Sequence, residues 1–139
     1  MNEAGAIVDT GPLVALLNKR ERHHEWVKAR LRDIAAPLLT CEAVIAEAAF
    51  LLRRIDGGPA LMALLQRRAL RIAFRLEDEH EQVARLMAKY DDLPMSLADA
   101  CLVRMAEAHP RARVLTFEGD FRVYRKASRQ VVPVTMPPG

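Results

Sequence analysis

Apolar residues along this chain follow two spacings, one typical of strands and one typical of helices. Short apolar runs and one alternating stretch predict five strands, at residues 6–10, 36–40, 70–76, 113–117 and 131–135. Apolar side chains that recur every three or four residues predict six helices, at residues 11–18, 23–34, 41–55, 59–69, 78–90 and 96–109. Because the strands alternate with helices, we predict a parallel sheet covered on both faces. The expected fold class is α/β, with three α/β/α layers around a short, mainly parallel central sheet.

Proline and glycine mark several of the predicted boundaries. Pro12 falls in the first turn of a helix, where a proline is tolerated. Gly57 and Gly58 follow the long helix at residues 41–55, as is common at a helix end. Pro133 lacks the N–H group that a central strand needs, so we expect the last strand to lie at an edge of the sheet.

The length and the sequence pattern predict one domain over residues 1–139. The chain contains no repeat, no low-complexity segment and no linker that would divide it. No apolar run approaches the ~18 residues that a membrane span needs, and the start MNEAGAIVDT lacks the basic and then apolar order of a signal peptide. We therefore expect a cytoplasmic protein with no membrane contact.

The net charge and the spacing of the cysteines further restrict the kinds of partner and site that this protein can have. The net charge is +3, and arginine supplies 17 of the 21 basic residues, which suits a polyanionic partner. An arginine-rich solvated surface would have the same composition, so both interpretations stay open. Cys41 and Cys101 lie 60 residues apart without a CxxC motif, which favours buried thiols over a zinc site or a disulfide. The four histidines form no ligand pair, and we expect them at the surface.

Three acids lie where a carboxylate is unexpected. Asp9 directly follows the first predicted strand. Every residue three or four positions from Glu47 is apolar, which places its carboxylate on the helix face expected to pack against the sheet. Three of the four corresponding neighbours of Asp99 are apolar as well. A buried carboxylate is costly unless it is paired, protonated or bound to a metal.

Two further acids, Glu118 and Asp120, follow the predicted strand at residues 113–117. Ligand sites in open α/β sheets lie at the carboxyl ends of the strands, so the four acidic positions are expected at one edge. Crowded carboxylates stay ionised most readily around a hard divalent cation, which predicts Mg²⁺ or Mn²⁺. Each acid also has a structural alternative, as a helix cap, a partner of a buried arginine or a turn residue. That all of them are structural at once is less expected.

Four segments carry a family resemblance. IVDTGPLVALLN, TCEAVIAEAAFLLRR, DLPMSLADACLV and VLTFEGDFRVYR, in this order, resemble the acidic motifs of the PIN domain. More narrowly, they are similar to VapC-type ribonuclease toxins of bacterial type II toxin-antitoxin systems. The resemblance spans the chain from Ile7 to Pro133 and implies a PIN-like fold. It also implies an endoribonuclease that depends on Mg²⁺ or Mn²⁺.

The resemblance maps the family's acids onto particular residues of this chain. They are Asp9, Glu47, Asp99 and Asp120, with Glu118 as the alternative for the last, since relatives use either position. Close relatives often carry an aspartate at the position of Ser96, so the number of metal ligands stays open. The implied reaction is hydrolysis of phosphodiester bonds in tRNA, rRNA or mRNA by a metal-activated water.

RNA contacts and protein partners can also be predicted. Arg122, Arg125 and Lys126 directly follow the last acid and are candidates for phosphate contacts, with a solvated turn as the alternative. Thr10 and Thr116, whose hydroxyls lie close to site acids in the sequence, are further RNA-binding candidates. The resemblance implies a cognate VapB-like antitoxin and a homodimer. We expect the dimer to bury apolar residues of the helices at 41–55 and 59–69, namely Phe50, Leu51, Met62 or Leu65.

Two other functions are consistent with parts of the pattern. A catalytically silent PIN-like module would use the same fold for RNA binding or partner docking, but the presence of every acid argues against it. A metal-dependent phosphatase or receiver-like domain also places an acid after its first strand. Such domains usually add a second adjacent acid and a lysine after a late strand, whereas Asp9 is followed here by Thr-Gly-Pro.

Overall fold

The central sheet has five parallel strands, and a separate antiparallel pair lies beside it. The computed structural model describes residues 5–138, with only the backbone described at residue 128. The strands are β1 (Ile7–Val8), β2 (Leu38–Thr40), β3 (Leu70–Ile72), β4 (Val114–Leu115), β5 (Arg125–Lys126), β6 (Gln130–Val131) and β7 (Val134–Thr135). The order in the main sheet is β3-β2-β1-β4-β7, and β5 pairs with β6. Since β1 is central, the segment after it emerges between the ends of β2 and β4.

Within residues 5–138, six α-helices cover the sheet. They are α1 (Thr10–Leu17), α2 (His24–Leu31), α3 (Glu42–Leu51), α4 (Gly58–Gln66), α5 (Leu76–Lys89) and α6 (Leu97–Ala108). The chain steps from β1 to β2 to β3 in one direction and then returns past β1 to β4. Right-handed crossovers therefore place α1 to α4 on one face and α5 with α6 on the other. This is the three-layer α/β/α fold that the sequence predicts.

The core forms where the helices meet the sheet. Ile7, Leu13 and Val114 are fully buried, and Leu102 on α6 is buried on the opposite face. Three 3₁₀ helices occupy connections, at Arg53–Ile55, Gly119–Arg122 and Ala127–Arg129. Across residues 5–138, no helix has both the length and the apolar character needed to cross a membrane.

Three predicted elements differ most from the structure. The strand predicted at residues 70–76 ends at Ile72, and α5 already begins at Leu76. The helix predicted at residues 41–55 ends at Leu51 and continues as a 3₁₀ turn. The strand predicted at residues 131–135 is two strands, because β6 pairs with β5 whereas β7 pairs with β4. Pro133 separates them, and β7 is at the edge of the sheet, as expected.

Burial confirms the prediction for the cysteines and corrects it for one histidine. Cys41 and Cys101 are both buried with free thiols. His24 was expected at the surface but is only 8% exposed, and its Nδ1 lies 2.6 Å from the carbonyl oxygen of Ala15. The reason is that α2 packs against α1, so the first residue of α2 faces the preceding helix rather than solvent.

Candidate active site

The five carboxylates singled out in the sequence line one cleft. This cleft, of about 470 Å³, lies at the carboxyl ends of β1 and β4. Its lining residues are Asp9, Thr10, Gly11, Glu47, Leu51, Pro94, Ser96, Asp99, Phe117, Glu118 and Asp120. The chain thus brings together acids from four separate segments, and we call this the acidic cleft.

Asp9 is the deepest of these acids and also starts α1. Its side chain is the N-cap of that helix, and Oδ1 accepts a hydrogen bond of 2.7 Å from the backbone N–H of Thr10. Its other oxygen, Oδ2, accepts a hydrogen bond of 2.7 Å from the hydroxyl of Thr116. Thr116 follows β4, which pairs with β1 in the sheet. The strand pairing therefore holds the Asp9 carboxylate in one orientation.

Burial raises the pKa of Asp9 to about 6 from an ordinary value of 3.8. The hydrogen bonds from Thr116 and Thr10 act in the opposite direction, because they favour the ionised form. The nearby charges of Asp99 and Glu47 raise the pKa further. The carboxylates therefore interact with one another across the cleft.

Asp99 is held by two local contacts and one distant contact. It forms a capping box with Ser96 at the start of α6, in which the Ser96 hydroxyl accepts a 3.0 Å hydrogen bond from the Asp99 N–H. In return, Asp99 Oδ2 accepts from the Ser96 N–H at 3.4 Å. The same oxygen accepts a 2.9 Å hydrogen bond from the hydroxyl of Tyr124. The capping pair expected from the sequence is therefore present, and Asp99 lines the acidic cleft as well.

Tyr124 is a site residue that the sequence analysis missed. It is fully buried, and its ring packs edge-on against Phe121 and Tyr90. Burial, followed by the hydrogen bond to Asp99, raises the pKa of its hydroxyl, so the group stays protonated and acts as a donor. The only signal in the sequence is its position four residues after Asp120, which does not indicate a contact with α6.

Glu47 reaches the cleft from a different direction than predicted. The sequence placed its carboxylate on the face of α3 that packs against the sheet, but Glu47 is exposed. Val44 and Ala48 face the core instead. The prediction was wrong because the apolar neighbours Phe50 and Leu51 are themselves 60% and 56% exposed. Partial burial and the charge of Asp99 still raise the pKa of Glu47, since it stands at the rim of the cleft.

The last two acids sit on the turn after β4. The hydroxyl of Thr116 accepts a 2.9 Å hydrogen bond from the N–H of Glu118, so the residue that holds Asp9 also shapes this turn. Glu118 is exposed, whereas Asp120 is half-buried in the first turn of the 3₁₀ helix Gly119–Arg122. Both line the acidic cleft.

The RNA-binding candidates occupy four different environments. Thr116 is fully buried, with its hydroxyl engaged by Asp9 and Glu118. Thr10 lines the acidic cleft. Arg122 is exposed on the 3₁₀ helix beside the cleft, whereas Arg125 and Lys126 are half-buried in β5 and line a separate cleft.

The donors in the acidic cleft suit a hard divalent cation. All the charged lining groups are carboxylates, and no thiol or imidazole is among them. The hydroxyl of Thr10, next to Asp9, is buried without a hydrogen-bond partner among the described residues. In residues 5–138, no three His, Cys, Asp or Glu side chains are already arranged around a common metal position. Metal binding would therefore require movement of side chains, which the exposed Glu47 and Glu118 can provide.

Comparisons with known proteins agree with this geometry. The family model described as PIN domain matches residues 6–127. The chain is 30% identical over 115 residues to Ribonuclease VapC26 of Mycobacterium tuberculosis, across 81% of this chain and 85% of that protein. Its fold is similar to the crystal structure of VapC20 of Mycobacterium tuberculosis, a sarcin-ricin loop cleaving toxin. That match has a TM-score of 0.76 at 23% identity and covers 86% of this chain and 94% of the other. The fold, the acidic cleft and the family match together show that this chain belongs to the PIN domain family.

Proposed function

We propose that this chain is a divalent-cation-dependent endoribonuclease and acts as a VapC-type toxin. The observation that carries the proposal is the convergence of five carboxylates on one cleft at the carboxyl ends of β1 and β4. The similarity to a ribonuclease over four fifths of the chain supports the same conclusion. The requirement for Mg²⁺ or Mn²⁺ is part of the proposal and rests on the oxygen-only donor set.

The roles of the residues follow from how firmly each is held. Asp9 and Asp99, fixed by hydrogen bonds from Thr116 and Tyr124, would hold the cation in a constant position. Glu47, Glu118 and Asp120 at the rim would complete the ligand set or orient the attacking water. A bound Mg²⁺ or Mn²⁺ supplies a Lewis acid that polarises the scissile phosphate and lowers the pKa of a bound water. Thr10 offers a hydroxyl to the substrate or to that water.

The substrate is proposed to be an RNA loop in tRNA, rRNA or mRNA. Unpaired bases in loops are accessible to proteins, whereas the deep major groove of an RNA duplex is not. VapC20, which shares the fold, is described as cleaving the sarcin-ricin loop. We propose that Arg122, which is exposed on the 3₁₀ helix that also carries Asp120, contacts a phosphate of the bound strand. Such a toxin would act on RNA in the cytoplasm.

A homodimer and an antitoxin are the proposed protein partners. Phe50, Leu51, Ile55 and Met62 expose between 39% and 60% of their surface on consecutive elements, from α3 to α4. Such an apolar surface is typical of an interface. Leu51 also lines the acidic cleft, so the dimer contact and the site are adjacent. A VapB-like antitoxin would neutralise the toxin by covering the cleft.

The proposed activity is tested with purified protein and total RNA. Wild type should cleave RNA in Mg²⁺ or Mn²⁺ but not in EDTA, and Asp9→Asn and Asp99→Asn should each be inactive. Asp33→Asn is the matched control, because Asp33 is exposed in a cleft at the opposite, amino-terminal end of the sheet. It should cleave like wild type. A folded wild type that cleaves no RNA in either metal would instead support a catalytically silent PIN-like module.

Toxicity is tested separately in cells. Expression of the chain alone should arrest growth, and co-expression with an antitoxin encoded beside it should restore growth. Asp9→Asn should be harmless at the same expression level. Harmless expression of soluble wild type would contradict the toxin assignment without contradicting ribonuclease activity.

A further inference from the structure

A second cleft, next to the acidic one, is lined mainly by basic side chains. It has a volume of about 320 Å³ and lies between α5, α6 and the β5–β6 hairpin. The basic residues that line it are Arg85, Lys89, Arg104, Arg125, Lys126 and Arg129. One carboxylate, Glu107, lies among them. We call this the basic groove.

Most of the positive charge in the basic groove is uncompensated. Arg104 bridges Glu79 at 2.8 Å and Glu107 at 2.6 Å, which accounts for the one carboxylate of the groove. In the part of the chain that the structure describes, the other five basic residues of the groove form no ion pair. The whole chain has a net charge of only +3, so this one surface concentrates more positive charge than the protein carries overall.

The hairpin side of the groove is held in place by hydrogen bonds. Arg125 donates from its guanidinium to the carbonyl oxygens of Arg122, Val123 and Tyr124, at 2.7 to 3.0 Å. The carboxylate of Glu107 accepts a hydrogen bond from the N–H of Ala127, which ties the hairpin to α6. A preformed groove loses less conformational entropy on binding than a set of free side chains.

One short segment joins the basic groove to the acidic cleft. Tyr124 donates its hydroxyl to Asp99 in the acidic cleft, whereas the next residue, Arg125, lines the basic groove. The N–H of Arg125 donates in turn to the hydroxyl of Tyr90 at 3.0 Å. The two clefts are therefore adjacent and rigidly connected.

The acidic cleft by itself is a poor binding site for a polyanion. Its carboxylates repel the phosphates on either side of the bond to be cleaved, and a cation offsets only part of this repulsion. Substrate affinity must therefore come from a neighbouring surface. We propose that the basic groove binds the phosphate backbone of RNA, several nucleotides away from the cleaved bond. This proposal rests on the proposed function and adds a substrate-binding surface to it.

The test measures RNA binding without cleavage. A fluorescein-labelled single-stranded 12-nucleotide oligouridylate is titrated in EDTA, and anisotropy is followed from 50 to 300 mM salt. The test variant is Arg85→Ala with Lys89→Ala, two exposed residues of α5. The control is Arg32→Ala with Arg111→Ala, which removes two exposed charges near the amino-terminal end of the sheet.

Loss of two phosphate contacts should change both the salt dependence and the affinity of RNA binding. The slope of log K against log salt should become less negative by about 1.4, since each contact to a single strand contributes about 0.7. Affinity at 0.15 M salt should fall about tenfold for the same reason. Lys126→Ala removes one contact, so log K at 0.15 M salt should fall by about half as much as in the double variant. Lys126→Arg should retain wild-type binding because it keeps the charge. The control should match wild type.

Three outcomes separate the possibilities. If the groove variant matched the control in slope and affinity, the proposal would be overturned, whether or not wild type cleaves RNA. If it retained RNA binding but lost binding to a labelled oligoglutamate peptide, the groove would be a docking surface for an acidic protein, and the proposal would also fall. If RNA binding fell as expected while wild type cleaved no RNA, the groove assignment would stand and the proposed ribonuclease activity would fail.

Discussion

The substitution Asp9→Asn should stabilise the metal-free protein while it removes activity. Asp9 is only 8% exposed, and burial together with the charges of Asp99 and Glu47 disfavours its ionised form. An asparagine has nearly the same shape but no charge. Its Oδ1 can still accept the hydrogen bond from the N–H of Thr10. The energetic cost of a buried carboxylate is therefore removed while the helix cap is kept.

The size of the effect follows from the pKa. A pKa raised from 3.8 to about 6 means that ionisation of Asp9 costs the folded protein about 3 kcal/mol. The amide of the asparagine cannot accept the hydrogen bond that Thr116 donates to Asp9 Oδ2, and this loss costs about 1 kcal/mol. The net stabilisation expected above pH 7 is therefore about 2 kcal/mol. For a chain of this length, that is an increase of roughly 6 °C in the melting temperature.

The stabilisation by Asp9→Asn should increase as the pH rises. Because the folded-state pKa of Asp9 is raised, the folded protein holds this proton more tightly than the unfolded chain does. Ionisation of Asp9 therefore destabilises the fold progressively as the pH rises from about 4 to about 6, and the effect is constant above that range. The gain from Asp9→Asn should be absent below pH 4 and complete above pH 7.

The assay is chemical denaturation in EDTA at pH values from 4 to 8, with Asp33→Asn as a control for an exposed carboxylate. Wild type should be less stable than Asp9→Asn at pH 7.5, and millimolar Mg²⁺ should narrow the gap by stabilising wild type alone. An Asp9→Asn protein that is less stable than wild type at pH 7.5, or a difference that does not change with pH, would refute the reasoning. Asp9 would then be a structural acid with a favourable partner.

Three further predictions concern packing, the site and assembly. In thermal melts, Gly57→Ala should destabilise the fold by about 1–3 kcal/mol, because the new Cβ would lie 2.6 Å from the Cβ of buried Leu52. Gly58→Ala is the control and should be near neutral, because nothing lies within 4 Å of its new Cβ. Tyr124→Phe should lower RNA cleavage about tenfold, through loss of the hydrogen bond that positions Asp99, and unchanged cleavage would exclude that role. Phe50→Glu should convert a homodimer into a monomer in light scattering, and a wild type that is monomeric at high micromolar concentration would contradict the proposed interface.

The predicted fold was largely correct because its signals are local. Apolar runs and helical spacing depend on neighbouring residues, so the strand after Ala6 and the helix after Ser96 were found close to their observed positions. One error arose where the choice of the pairing strand decides the structure. The pattern VVPVT reads as one strand, yet Val131 pairs with β5 and Val134 with β4. A local pattern does not specify which strand lies beside it.

The orientation of Glu47 shows a second limit of prediction from the sequence. Apolar neighbours on a helix indicate that a face is covered, but they do not show whether the core of the same chain or a partner covers it. Around Glu47 the apolar residues Phe50 and Leu51 are exposed in the single chain, so this face suits a partner rather than the core. An apolar helix face can be covered by the core or left at the surface, and only the packing of α3 against the sheet distinguishes the two.

The sequence by itself determined the residue types of the site, their order and their local setting. An acid directly after a strand and a Ser-x-x-Asp pair before an apolar run are features of adjacent residues, and both are present as helix caps at Asp9 and Asp99. Only the tertiary structure decided which distant groups hold these acids. Thr116 reaches Asp9 across 107 positions, because β4 pairs with β1, and Tyr124 reaches Asp99 because the segment before β5 packs on α6. Contacts of this kind depend on strand order and helix packing, which are set by the burial of the whole chain and have no counterpart in any short stretch of sequence.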